Sequence, residues 1–271
     1  AAGLGKKILI AGTLASVVDG VFAMTAMDIR LAWVGAIAYC LQLYFDFSGY
    51  IDMVVGLGVA LGFTTRENFN YPYIASTVGD FWRRWHMSLS TWFKDYLYIP
   101  LGGNRKGKTR AGINKCIVFL LCGLWHGAAW NFILWGLYFG VILIIEKFIL
   151  KKWLDKAPAF VQHLYSLPLI LFGWVIFYFV DLKELGEFAA TLFAFSGPVI
   201  GESALSTTIS YLPLLVIAGI ASTPLMYKIH GKIKNTKVKV LVDTAFCIFI
   251  LFVCTASLVN QSYNPFLYFR F

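Results

Sequence analysis

Apolar stretches of bilayer length alternate with short, mostly basic loops along the chain, and this pattern predicts membrane-spanning helices. A hydrocarbon core of about 30 Å takes roughly 20 helical residues at about 1.5 Å each. Five stretches meet or approach that length: residues 31–63, 117–145, 161–180, 209–227 and 240–259. The first two are too long for one simple span and hold weak points at Ser48-Gly49 and Gly127. Each is either a tilted long helix or two shorter helices meeting inside the membrane. An apolar run over residues 8–24 carries Asp19 and lacks a small-x-small cleavage pattern, so no signal peptide is expected there.

The loops sort by charge. Residues 64–115 hold nine Lys/Arg against three acids, residues 147–156 four against one, and residues 228–239 five against none. Basic loops stay on the cytoplasmic face. Residues 181–202 carry only Lys183 against Asp181, Glu184, Glu187 and Glu202, which places them outside. Both flanks of residues 117–145 are basic, so a single crossing would put one of them on the wrong face. A re-entrant or paired-helix arrangement bending near Gly127 removes the conflict. Backbone bent at that depth has to be buried in protein or to line a wet cavity.

Composition strengthens the membrane reading. Of 271 residues, 59% are hydrophobic and 14% charged, with mean hydropathy +0.72, where a soluble domain is about 25% charged. A soluble enzyme, a disordered tail and a disulfide scaffold are poor fits. The net charge of +9 belongs to the positive-inside bias of the loops, and no nucleic-acid partner is expected. Cys40, Cys116, Cys122, Cys247 and Cys254 lie in apolar runs without a C-x-x-C pair, so neither disulfides nor a metal site is expected. The absence of an internal repeat predicts a single membrane-embedded domain over residues 1–271.

Four features carry candidate chemistry. Residues 81–96 form an aromatic and basic run in which a continuous helix would put Trp82, Trp85, Leu89, Trp92 or Phe93, and Tyr96 on one face. An interfacial helix explains that face, but does not require His86 within it. His126 is a lone imidazole in an apolar stretch with no Asp, Glu, Lys or Arg between Lys115 and Glu146. It is either a hydrogen-bonded structural histidine or a functional one, with Gly123, Gly127, Ala128 and Ala129 leaving room for a backbone or a ligand. Asp46 and Asp52 would each cost about 2.5–3.5 kcal/mol near the bilayer centre. A proton or ion path, helix capping, and pairing with a buried Arg all remain open for them. Arg105, Lys106, Lys108 and Arg110 lack the order of a phosphate-binding loop. They are either a topology anchor or a cytoplasmic patch for phosphate or an acidic partner.

Five motifs in one order then resemble a known family: Asp46-Phe47-Ser48-Gly49-Tyr50-x-Asp52-Met53, Glu67-Asn68-Phe69-Asn70-x-Pro72-Tyr73, Phe81-Trp82-Arg83-Arg84-Trp85-His86-Met87-Ser88-Leu89-Ser90, Tyr98-Ile99-Pro100-Leu101-Gly102-Gly103-Asn104-Arg105 and Gly123-Leu124-Trp125-His126-Gly127-Ala128. Together they resemble the membrane-bound O-acyltransferase family, most closely its alginate O-acetylation branch and, a step further, its teichoic acid D-alanyl transfer branch. The likeness is dense over residues 41–146 and thins after Lys151. Family members are longer and begin with further spans, so the chain is expected to be the C-terminal portion of one.

The resemblance implies an all-α, polytopic integral membrane protein with re-entrant or broken helices around a central tunnel, in the inner membrane of a bacterium. It implies His126 as the catalytic group and His86 as a second polar residue of the tunnel. It implies no tightly bound cofactor; a thioester, acetyl-CoA or an acyl carrier protein, serves as cytoplasmic donor, with Arg105, Lys106, Lys108 and Arg110 as candidates for its phosphate. The expected partners are membrane lipid, an extracytoplasmic acetyltransferase or cell-surface polysaccharide, and a cytoplasmic acyl carrier. The competing reading is an ion- or proton-coupled transporter using Asp46, Asp52 and the histidines.

Overall fold

The computed structural model describes residues 1–24, 27–193 and 202–259, and its regular elements among them are all helical. In chain order the α-helices are α1 (Ala2–Gly5), α2 (Gly12–Phe22), α3 (Ile29–Ala60), α4 (Val78–Arg84), α5 (Met87–Phe93), α6 (Gly107–His126), α7 (Trp130–Ile145), α8 (Lys151–Leu154), α9 (Ala159–Tyr178), α10 (Leu182–Phe193), α11 (Glu202–Ala221), α12 (Leu225–His230) and α13 (Thr236–Val259). Among the described residues four helical stretches are long and apolar enough to cross a membrane: Ile29–Ala60, Trp130–Leu154, Ala159–Tyr178 and Thr236–Val259. The protein is an all-α, multi-pass membrane protein. The described residues cluster into two units, one of those up to 67 together with those from 191 onward, the other of residues 68–190.

In the first unit α1 and α2 run on from one another through a π-helical turn, Lys6–Ala11, and pack along α3. The early apolar run is thus a helix in its own right, which the sequence pattern did not place among the spans. At 32 residues α3 is about 48 Å long, more than a hydrocarbon core is thick. It does not break at Ser48-Gly49. Gly49 is where α1 crosses, because a Cβ on Gly3 would strike the Gly49 carbonyl and a Cβ on Gly49 the Gly3 carbonyl. Asp28 caps α3 by accepting the Leu31 N–H at 2.9 Å, and Arg30 Nε donates to the same carboxylate at 2.7 Å.

That crossing decides the fate of the two intramembrane acids. Lys6 Nζ lies 2.7 Å from Asp52, and Lys7 pairs with Asp46. Lys7 and Asp46 are both buried, whereas the Lys6–Asp52 pair is half exposed. Their partners are lysines of the N-terminal helix, not a buried arginine. The expected span over residues 209–227 ends earlier, as α11 stops at Ala221 and Ser222-Thr223-Pro224 turns the chain before α12. Proline cannot donate the N–H that a continuing helix needs. Of the loop expected outside, residues 194–201 lie beyond the described residues.

In the second unit residues 117–145 form two helices, α6 and α7, broken at residues 127–129 and packed antiparallel. Glycines allow the approach. A Cβ on Gly123 would strike the Phe132 carbonyl, one on Gly136 the Phe119 carbonyl, and one on Gly140 would come within 3.2 Å of Cys116 Cα. The basic flanks of this hairpin lie at one end, as the charge pattern required. Helix α9 packs on α7, with Gly173 accommodating the Phe139 ring. Asn131 Nδ2 donates to the Phe177 carbonyl at 3.0 Å and Tyr138 to the Leu169 carbonyl at 2.9 Å.

Candidate active site

His86 does not lie within a continuous helix. Helix α4 ends at Arg84, α5 starts at Met87, and His86 between them takes a left-handed backbone conformation with φ 43°. The break has a local cause in the segment preceding α4. The Met87 N–H donates to the Asn68 carbonyl at 2.9 Å, the Ser88 N–H to Asn68 Oδ1 at 2.9 Å, and the Asn70 N–H to the Arg84 carbonyl at 2.9 Å. Backbone groups that a continuous helix would pair internally are therefore taken by residues 68–70. The single aromatic face expected over residues 81–96 does not form: Trp85 is buried, while Trp92 and Tyr96 are 53% and 70% exposed.

Helix α4 is anchored at its other end as well. Thr77 accepts the Asp80 N–H at 3.0 Å, and Asp80 pairs with Arg84 at 2.8 Å. The carboxylate of Glu146, just past α7, accepts the N–H groups of Val78 and Gly79 at 2.7 and 2.8 Å. A carboxylate there satisfies the orphan donors of the first turn. Sequence reasoning missed both Glu146 and Asn68 in these roles, since their partners lie far along the chain.

His126 is the last residue of α6. Its ring stands perpendicular to Trp135 and Phe177, with centroids at 5.4 and 5.1 Å, beside Trp125 at 5.0 Å. Of the two occupants the neighbouring glycines could admit, a backbone or a ligand, it is the protein itself that comes close. Gly123 is filled by the Phe132 carbonyl, and a Cβ on Gly127 would collide with the Phe132 ring. They bring Phe132 and the hairpin close to the imidazole.

Indole rings connect the two histidines. Trp85, next to His86, lies 4.8 Å from Trp174, which is 6.2 Å from Trp135 and 5.8 Å from Phe177, the two rings that flank His126. Trp82, Trp135 and Trp174 each carry a buried indole N–H without a partner. Burial pushes the His86 imidazole down to about 4, so it is neutral at physiological pH.

The four loop cations divide. Arg105 lines a cavity of about 300 Å³ with Lys94, Tyr98, Ile99, Gly103 and Asn104. Lys106 is exposed at the end of the same turn, and Lys108 and Arg110 are exposed in the first turn of α6. The loop is held to α6 by Asn114, fully buried, whose Nδ2 reaches the carbonyls of Leu101 at 3.3 Å and Gly103 at 3.2 Å. Lys147 and Tyr98 both donate to Asn104 Oδ1, at 2.6 and 2.7 Å.

A helical membrane unit that gathers two histidines in an aromatic interior matches the class its sequence places it in. The family model of the membrane-bound O-acyltransferases covers residues 1–180, and the chain belongs to that family. It is 40% identical over 293 residues to a probable alginate O-acetylase of Pseudomonas putida, a match spanning 99% of this chain and 59% of that protein. It is 42% identical over 186 residues to a peptidoglycan O-acetyltransferase of Helicobacter pylori (67% of this chain, 35% of that one). With a teichoic acid D-alanyltransferase of Bacillus subtilis it shares 35% over 153 residues (51% and 39%). The chain thus spans about three fifths of the length of the alginate O-acetylase it matches end to end.

Proposed function

We propose that this chain carries the reaction centre of a bacterial inner-membrane O-acyltransferase. It passes an acyl group, acetyl on this reading, from a cytoplasmic thioester towards an extracytoplasmic polysaccharide or a partner transferase. The observation that carries the reading is the run of packed indole rings that links the neighbour of His86 to His126 in one aromatic interior. Family membership and the acyl-transfer names of the relatives support it.

The chemistry follows from an imidazole in that setting. His126 takes the proton of the acceptor hydroxyl as its oxygen attacks the thioester carbonyl carbon. The C–O bond forms, the C–S bond breaks, and the proton passes from the imidazolium to the departing thiolate. Such a base contributes about 10²–10⁴ in rate. His86 positions the acceptor, and Arg105, Lys106, Lys108 and Arg110 attract a phosphorylated donor. A cytoplasmic donor and an external acceptor meet through a tunnel between the two faces.

The competing transporter reading is weakened by Lys6 and Lys7, which pair with the acids it would use. The test is transfer in membrane vesicles holding the full-length protein, supplied with radiolabelled acetyl-CoA or acetylated acyl carrier protein. Alkali-labile label on external glycan is expected. Flux of ions or protons without donor, and no label with either thioester, would overturn the proposal. Neutralising the four loop cations should raise the donor KM in a salt-sensitive manner and leave saturated turnover in place.

A further inference from the structure

The hydrogen bonds around Asn68 bear on which nitrogen of His86 carries the proton. Asn68 Oδ1 lies 2.9 Å from the backbone nitrogen of Ser88. A backbone N–H only donates, so the side-chain atom it meets is the amide oxygen and not the amide nitrogen. That oxygen only accepts, and His86 Nδ1 sits 3.2 Å from it. An unprotonated Nδ1 would set two lone pairs against each other. The Ser88 hydroxyl, 2.9 Å from Oδ1 and 3.4 Å from Nδ1, donates to the same oxygen.

We propose that Asn68 is a positioning residue that holds His86 as the tautomer with its proton on Nδ1, presenting Nε2 as a hydrogen-bond acceptor. Two further observations fit a built orientation. Asn68 is buried, and its carbonyl and side chain brace a non-glycine residue in left-handed backbone, a conformation such residues rarely adopt. One ring nitrogen's bond sets the state of the other. Neutral His86 therefore accepts at Nε2 and cannot donate there, which assigns it to a hydroxyl of the acyl acceptor beside the one whose proton His126 takes, and not to the thioester carbonyl. This last step rests on the acyl-transfer reading above; the tautomer does not.

The test is ¹⁵N NMR of the full-length protein, labelled at histidine and held in lipid bilayers, with the His86 signals identified by their loss in His86→Gln. A protonated Nδ1 and an unprotonated Nε2 are expected at neutral pH. Asn68→Leu, which removes the acceptor, should shift the proton to Nε2 or to a mixture. Asn68→Asp should keep the Nδ1 proton and raise the pH at which the ring becomes doubly protonated. A wild-type His86 protonated on Nε2, a folded Asn68→Leu with an unchanged tautomer, or an Asn68→Asp protein with an unchanged protonation midpoint would each overturn the assignment. A His86→Ala protein that transfers acyl groups at the wild-type rate would overturn the acceptor-side role and leave the tautomer standing.

Discussion

Lys7 of the N-terminal helix and Asp46 of α3 form an ion pair in which both side chains are buried, 39 residues apart in sequence. Each charge is tolerable there because the other is present. Breaking such a pair from one side strands a charge and costs about 3–5 kcal/mol, whereas replacing both partners with apolar groups is often neutral. Asp46→Asn alone should therefore lower the unfolding midpoint in detergent, and Lys7→Met with Asp46→Leu should restore most of it. Acyl transfer by the double variant would remove any need for an ion relay through Asp46.

His126→Gln keeps a hydrogen-bonding side chain but cannot take a proton at neutral pH. It should insert and purify near wild-type yield, retain donor binding, and lose acyl transfer by about 10²-fold or more. His86→Ala should be milder, because a positioning group acts on the geometry of attack. Wild-type transfer rates in His126→Gln would rule it out as the base.

The hairpin depends on Gly136, where any Cβ meets the Phe119 carbonyl of the opposing helix. Gly136→Val should destabilise by roughly 1–3 kcal/mol or more through forced separation of α6 and α7. Gly186 in α10 has open space where a methyl group would stand, with nothing within 4 Å. Gly186→Ala should therefore be neutral or slightly stabilising, since alanine favours helix. Thermal unfolding followed by tryptophan fluorescence separates the two.

Acid should weaken the second unit through His86. Its folded value is about 4, against 6.5 for an unperturbed imidazole, so between those limits the unfolded chain binds more protons and stability rises with pH. The His86 contribution should be complete above about pH 6.5 and decline as the pH falls towards about 4. His86→Gln should flatten that part of the stability curve; an unchanged slope would show that other groups produce it.

The charge counts of the loops set the sidedness. Lys106, Lys152 and Lys234 should face the cytoplasm and Glu187 the outside. Single cysteines at these positions, in a background whose own five cysteines are replaced, should be labelled from those faces. Labelling of Glu187→Cys only from the cytoplasmic side would invert the assignment.

Much of this architecture was legible in local sequence signals. Long apolar runs, glycine breaks and basic loops marked the helices of α3, α6, α7, α9 and α13 and the turn at Gly127, because hydropathy and helix breaking act over a few residues. The motifs around His86 and His126 pointed to the site by resemblance. Tertiary structure decided the rest. Which cation met Asp46 depended on the crossing of Gly3 over Gly49, a packing geometry that no window of sequence contains. The break at His86 depended on Asn68, 18 residues away, offering its carbonyl and side chain to the N–H groups of Met87 and Ser88. Gly123 and Gly127, which read as room for a backbone or a ligand, admit the carbonyl and the ring of Phe132. Helix propensity and hydropathy are summed along the chain, but the partner of a buried charge, a ring nitrogen or a glycine's empty side is chosen by the element packed against it.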